Sequence, residues 1–136
     1  MKYYKQQSFS TCGPTCLRMI FSYKYPYKRE SFYKELCLTE NIGTSIDNLQ
    51  RGVLLLNKSS IIYYNSSLKI MINYLNKNYK VIVLFKYHYC IVKKINHKFI
   101  YLWDPSRWKR KLTINYFNRI WNTNHPEGKR LLLAIL

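Results

Sequence analysis

Apolar side chains recur along this chain with a period that changes once. Leu17, Ile20 and Phe21 stand at helical spacing and give one buried face to a helix that starts beside Thr11. Thr11 is placed to cap it, and Pro14 is tolerated in a first turn, where no intrahelical partner is lost. Residues 28–38 read as a short second helix with Phe32, Leu36 and Cys37 inward. After a loop at Asn41, Ile42 and Gly43, Thr44 or Ser45 can cap a helix that buries Ile46, Leu49, Val53 and Leu56. Residues 61–64 are a strand candidate, and Ser66 or Ser67 caps a further helix with Leu68, Met71, Ile72 and Leu75 inward.

From Tyr79 the period shortens. Val81, Ile82, Val83, Leu84 and Phe85 form an unbroken β-rich run, as in a strand buried on both faces. Residues 88–95 and 98–103 follow as strands around a turn at Asn96 and His97, and Asp104-Pro105 ends the second. Residues 109–113 suit another strand, 114–121 a helix packing Phe117, Ile120 and Trp121, and 131–136 a strand that closes the sheet. Helices first and antiparallel strands after predict an α+β fold, an N-terminal helical half packed on a C-terminal sheet, with a cleft between the halves.

Length and composition narrow the class. A chain of 136 residues, 48% of them hydrophobic, matches one domain over 1–136 with one sizeable core. The polar N-terminus has no signal-peptide pattern, and no apolar run can span a bilayer. A cytoplasmic protein is therefore expected, with Cys12, Cys16, Cys37 and Cys90 as free thiols. The net charge of +17, from 23 Lys and Arg against six Asp and Glu, predicts attraction to a polyanion: nucleic acid, an anionic membrane face or an acidic peptide. Compositional drift toward Lys, Asn, Ile and Tyr accounts for it equally well. No zinc-finger spacing or RNP-like motif supports nucleic-acid readout.

The candidate chemistry starts at Cys12. A cysteine where a helix begins meets unpaired backbone N–H groups and the positive end of the helix dipole, which favour the thiolate. Gly13 beside it leaves space for a substrate backbone. Farther on, a three-residue turn at 95–97 sets His88 directly opposite Asp104 on one face, with Cβ atoms about 5 Å apart. A carboxylate there can orient an imidazole, and Tyr87 and Tyr89 flank it as candidate substrate contacts. A one-residue slip in register would undo the pairing. The competing chemistry is a zinc site from Cys12, Cys16, His88 and Cys90, whose spacing resembles no common structural site.

The segment Gln6-Gln7-Ser8-Phe9-Ser10-Thr11-Cys12-Gly13-Pro14-Thr15-Cys16-Leu17 resembles the active-site segment of the double-glycine leader peptidases, the papain-like cysteine peptidases that process bacteriocins. The His88 strand after an apolar run and the Trp103-Asp104-Pro105 strand end resemble that family's other two elements. The resemblance implies a papain-like fold and Cys-His-Asp catalysis, with the Gln6 amide in the oxyanion hole and no cofactor or metal. It implies cleavage of a leader peptide after a Gly-Gly or Gly-Ala pair, and an ABC exporter as a partner. The family has an acidic residue before its cysteine where this chain has Thr11. Two other functions fit the same residues: acyl transfer, deamidation or amide hydrolysis at the same site, and a non-catalytic module holding peptide or nucleic acid.

Overall fold

The computed structural model describes residues 1–136. In chain order the elements are α1 (Cys12–Phe21), α2 (Glu30–Leu36), α3 (Ile46–Leu55), β1 (Ser60–Tyr63), α4 (Leu68–Asn76), β2 (Lys80–Phe85), β3 (His88–Ile95), β4 (Phe99–Asp104), β5 (Trp108–Thr113), α5 (Ile114–Trp121) and β6 (Leu132–Ile135). Hydrophobic spacing had marked every one of them. Ser45 and Ser67 cap α3 and α4, accepting from the Asn48 and Ile70 N–H groups, and Thr113 caps α5 in the same way.

The strands form one antiparallel sheet in the order β1-β6-β2-β3-β4-β5. The C-terminal strand does not close the sheet at its edge but lies inside it, between β1 and β2, with Leu132, Leu133, Ala134 and Ile135 all buried. Four consecutive buried residues require cover on both faces.

The N-terminal helices pack on the antiparallel sheet as expected, and the later helices α4 and α5 cover its other face. Cys16, Leu17 and Ile20 of α1 and Leu49 and Val53 of α3 pack with Ile82, Ile91 and Leu133 on one face. Met71 of α4 and Phe117 and Trp121 of α5 pack with Val81, Val83, Val92 and Leu132 on the other. The unbroken run in β2 divides between the two cores. Ile72, expected inward, is 39% exposed. α4 instead turns Tyr74 toward the sheet, where its hydroxyl meets that of Tyr63 at 2.6 Å. No helix is long and apolar enough to cross a membrane.

Candidate active site

Cys12 is the first residue of α1, as its spacing predicted, but Thr11 does not cap the helix with its side chain. The Thr11 hydroxyl donates to the Ser8 carbonyl at 3.0 Å and accepts from the Ser8 N–H at 3.2 Å, which folds the 8–11 turn onto the helix start. Cys12 Sγ accepts from the Tyr89 N–H at 3.5 Å. Burial pushes the Cys12 thiol above its ordinary value, against the opposing pull of the Tyr89, Gly13 and Cys12 N–H groups. The expectation of a thiolate favoured by the helix start is therefore corrected: desolvation outweighs the first-turn donors. Cys12 and His88 both line one cleft of about 800 Å³ but make no hydrogen bond with each other.

His88 opens β3 directly after a two-residue turn, Lys86-Tyr87, whose backbone is left-handed at both positions (φ 49° and 66°). Such a turn matches the twist of the hairpin it closes, and each non-glycine residue in it carries backbone strain. His88 Nε2 is 2.9 Å from Asp104 Oδ2, and Nδ1 is 3.2 Å from the Lys86 carbonyl. The two contacts hold the ring between Asp104 and the turn that precedes β3.

Asp104 is not directly opposite His88. Ile95 faces Ile100 and Lys94 faces Tyr101, but beyond a bulge Val92 faces Leu102 and Ile91 faces Trp103. Extending that second register sets Cys90 against Asp104, so His88 is the diagonal neighbour of Asp104 on the same face. The bulge takes up Lys93 as an extra residue. Regular pairing from the turn outward would have matched Asp104 with Ile91 and turned its carboxylate to the other face from His88.

The Asp104 side chain is fully buried. Burial alone would raise its carboxyl, but hydrogen bonds from His88 and from Ser106 outweigh that and hold it well below the usual carboxylate range. The Ser106 N–H and hydroxyl donate to Oδ1 at 2.9 and 2.7 Å, and Arg110 reaches Oδ2 at 3.3 Å.

Gln6 lies in the same cleft, and its N–H donates to the Pro105 carbonyl at 2.9 Å, next to Asp104. Its amide Nε2 donates to the Ser8 and Phe9 carbonyls at 2.8 and 3.3 Å, while its Oε1 is buried without a partner. Gly13 does not line the cleft. A Cβ there would come within 3.3 Å of Leu49 and Tyr89, so the glycine admits core side chains rather than a substrate. Tyr87 is exposed at the rim and packs on the His125 ring. Tyr89 lines the cleft too, but its ring is mostly in the core and its hydroxyl donates to the Thr44 carbonyl at 2.9 Å.

The four residues of the zinc alternative are not brought together. The metal-capable groups that converge, within 4.8 Å, are His88, Cys90 and Asp104. All four cysteines are free and buried.

Sequence reasoning missed Glu30, Ser106 and Arg110. Glu30 is buried and accepts from the Thr15 hydroxyl at 2.6 Å and from the Gln7 N–H at 3.0 Å, which ties the Gln6-Gln7 segment to α1 and α2. Ser106 had a legible signal, because Asp-Pro-Ser matches a turn in which the carboxylate accepts from the backbone two residues on. Arg110 alternates onto the Asp104 face of β5, which only the register reveals.

The peptidase C39 family model matches residues 1–125. A double-glycine-motif protease from an AMS/PCAT transporter, solved with its leader peptide, superposes with a TM-score of 0.79 at 17% identity, covering 98% of this chain and 89% of that one. The peptidase domain of Streptococcus ComA, a bifunctional ABC transporter of a quorum-sensing pathway, gives 0.77 at 19% identity, covering 99% and 97%. The Streptococcus mutans ComA peptidase domain gives 0.68 at 16% identity, covering 100% and 99%. No curated protein sequence matches the chain.

Proposed function

The chain belongs to the peptidase C39 family and is a cysteine peptidase; from that premise we propose that it removes leader peptides from ribosomally made precursors, cutting after a pair of small residues such as Gly-Gly or Gly-Ala. The observation that carries the reading is the 2.9 Å His88–Asp104 pair at the cleft that also holds Cys12.

In this reading Cys12 is the nucleophile, His88 the acid and base, and Asp104 the group that orients the imidazole. With Nε2 engaged by Asp104, Nδ1 is the ring nitrogen left for Cys12, and it reaches the thiol by leaving the Lys86 carbonyl. It takes the thiol proton, and Sγ attacks the scissile carbonyl carbon. The C–N bond breaks, the amine leaves with the proton from His88, and a thioester remains. His88 then draws a proton from water, whose oxygen displaces Sγ and releases the leader with a new carboxylate.

The Cys12 N–H and the Gln6 amide stabilise the oxyanion, an interaction worth roughly 3 kcal/mol per donor. Gln6 serves by turning its amide from the Ser8 and Phe9 carbonyls toward the substrate. Its unpartnered Oε1 supports this, because the resting arrangement leaves a buried acceptor unsatisfied. An ABC exporter is the expected partner, since the similar domains from transporters include one solved with a leader peptide.

The test is a set of precursor peptides carrying Gly-Gly or Gly-Ala, read by product mass. Cleavage after the pair by the wild type and its loss in Cys12→Ala are expected. Products one dalton heavier, or joined to an added amine, would assign the site to deamidation or acyl transfer. Undiminished cleavage by Cys12→Ala would remove Cys12 from the reaction.

A further inference from the structure

We propose that the open face of β3, β4 and β5 is a docking surface for a bilayer rich in acidic phospholipid. The bulge that aligns Asp104 with His88 also turns two consecutive lysines, Lys93 and Lys94, to one side of β3. There they meet Tyr101 and Trp103 of β4 and, across the next ladder, Lys109 and Lys111 of β5. All four lysines are exposed. Lys93 and Lys109 both lie over one ring, 4.6 and 4.7 Å from the Trp103 centroid, and Lys111 lies 4.1 Å from that of Phe99.

The charge on this face is uncompensated. Of the six acidic residues only Asp104 makes ion pairs, and it points to the other side of the sheet. The Lys93 ammonium is disfavoured, first by burial and then by Lys80 and Lys109, a repulsion that an anionic surface would relieve.

Three features favour a lipid surface over nucleic acid. The patch is a sheet face of three strands, suited to a plane. Two ammonium groups already lie over the Trp103 ring, where a base would have to compete with them to stack. At the margin Trp108 is 57% exposed, held by Tyr3 at 4.4 Å between centroids and flanked by Arg107 and Lys109. Tryptophan among lysines is the composition that settles at the headgroup level. Arg107 also lines the catalytic cleft, so docking here brings that cleft to the membrane.

The experiment is co-sedimentation with vesicles of phosphatidylglycerol and phosphatidylcholine, and with phosphatidylcholine alone, at physiological salt. The face variant is Lys93→Gln with Lys109→Gln and Lys111→Gln. A charge-matched control carries Lys24→Gln, Lys34→Gln and Lys77→Gln on other surfaces. Each lysine near an anionic membrane contributes about a factor of five. The face variant should therefore bind at least tenfold more weakly, and the control within about threefold of the wild type. Equal loss in both variants would overturn the proposal in favour of net charge. So would absent binding to acidic vesicles, or tighter binding of single-stranded RNA that the face variant abolishes. Folding is read by circular dichroism, and vesicle binding needs no turnover, so the outcome is independent of the peptidase reading.

Discussion

Asp104 concentrates more of the site's electrostatics than any other residue. It is fully buried and receives His88, Ser106 and Arg110 on its two oxygens. Replacing it by Asn keeps the volume but removes the charge that orients and stabilises the imidazolium, and should lower kcat by at least about 100-fold. The same substitution should change the acid limb of stability. The folded carboxyl ionises below its unfolded value, so its contribution is present above about pH 4 and is lost as pH falls toward the depressed folded value. The wild type should therefore lose more Tm than Asp104→Asn between neutral pH and pH ~3. Equal losses in calorimetry would mean that Asp104 is not preferentially ionised in the fold. At this scale Cys12, His88 and Asp104 were legible because a helix start and a strand end are visible in the chain. Gly13 is used instead by packing between α1, α3 and β3, and such contacts leave no periodic trace, while Tyr89 lines the cleft with most of its ring in the core.

Among the elements, the β3–β4 hairpin matters most, and its register was read imperfectly. A three-residue turn was expected to oppose His88 and Asp104 directly. The turn instead closes with the Asn96 N–H donating to the Phe99 carbonyl, and the Asn96 side chain accepts from the Lys98 and Phe99 N–H groups. The bulge at Lys93 then restores a shared face. Its signal was present in the sequence: Val92 and Ile95 are apolar with two polar residues between them, where a regular strand would have one. Because the extra residue is absorbed locally, deleting Lys93 should join two already compatible registers. Peptidase activity should stay within about threefold of the wild type, given that bulges separate regions of otherwise normal pairing. A loss above 100-fold on peptide cleavage would mean that the two registers do not join without the extra residue.

Taken whole, the molecule carries +17 charges with one buried carboxylate in ion pairs, so like-charge repulsion opposes folding. Raising salt from low to physiological ionic strength should raise Tm by a few degrees as the Debye length falls to about 8 Å; a falling Tm would contradict this. The α+β class was legible at this scale, but the second layer of α4 and α5 was not, because order along the chain does not say which face of a sheet a helix covers. β2 and β6 held the clue, since strands without a polar face must be covered twice. The site itself needs the whole chain. Gln6 comes from the N-terminal segment, Cys12 from α1, and His88 and Asp104 from adjacent strands. The central claim is that Cys12 and His88 act as one nucleophile and base. It is tested most directly by a peptide chloromethyl ketone ending in Gly-Gly, which alkylates the nucleophilic Sγ with loss of chloride to leave a thioether that is mapped by mass. The account predicts modification at Cys12 alone, slowed at least 100-fold by His88→Ala, in the range expected of a base in a catalytic unit. Modification spread over Cys16, Cys37 and Cys90, or a rate indifferent to His88→Ala, would contradict it.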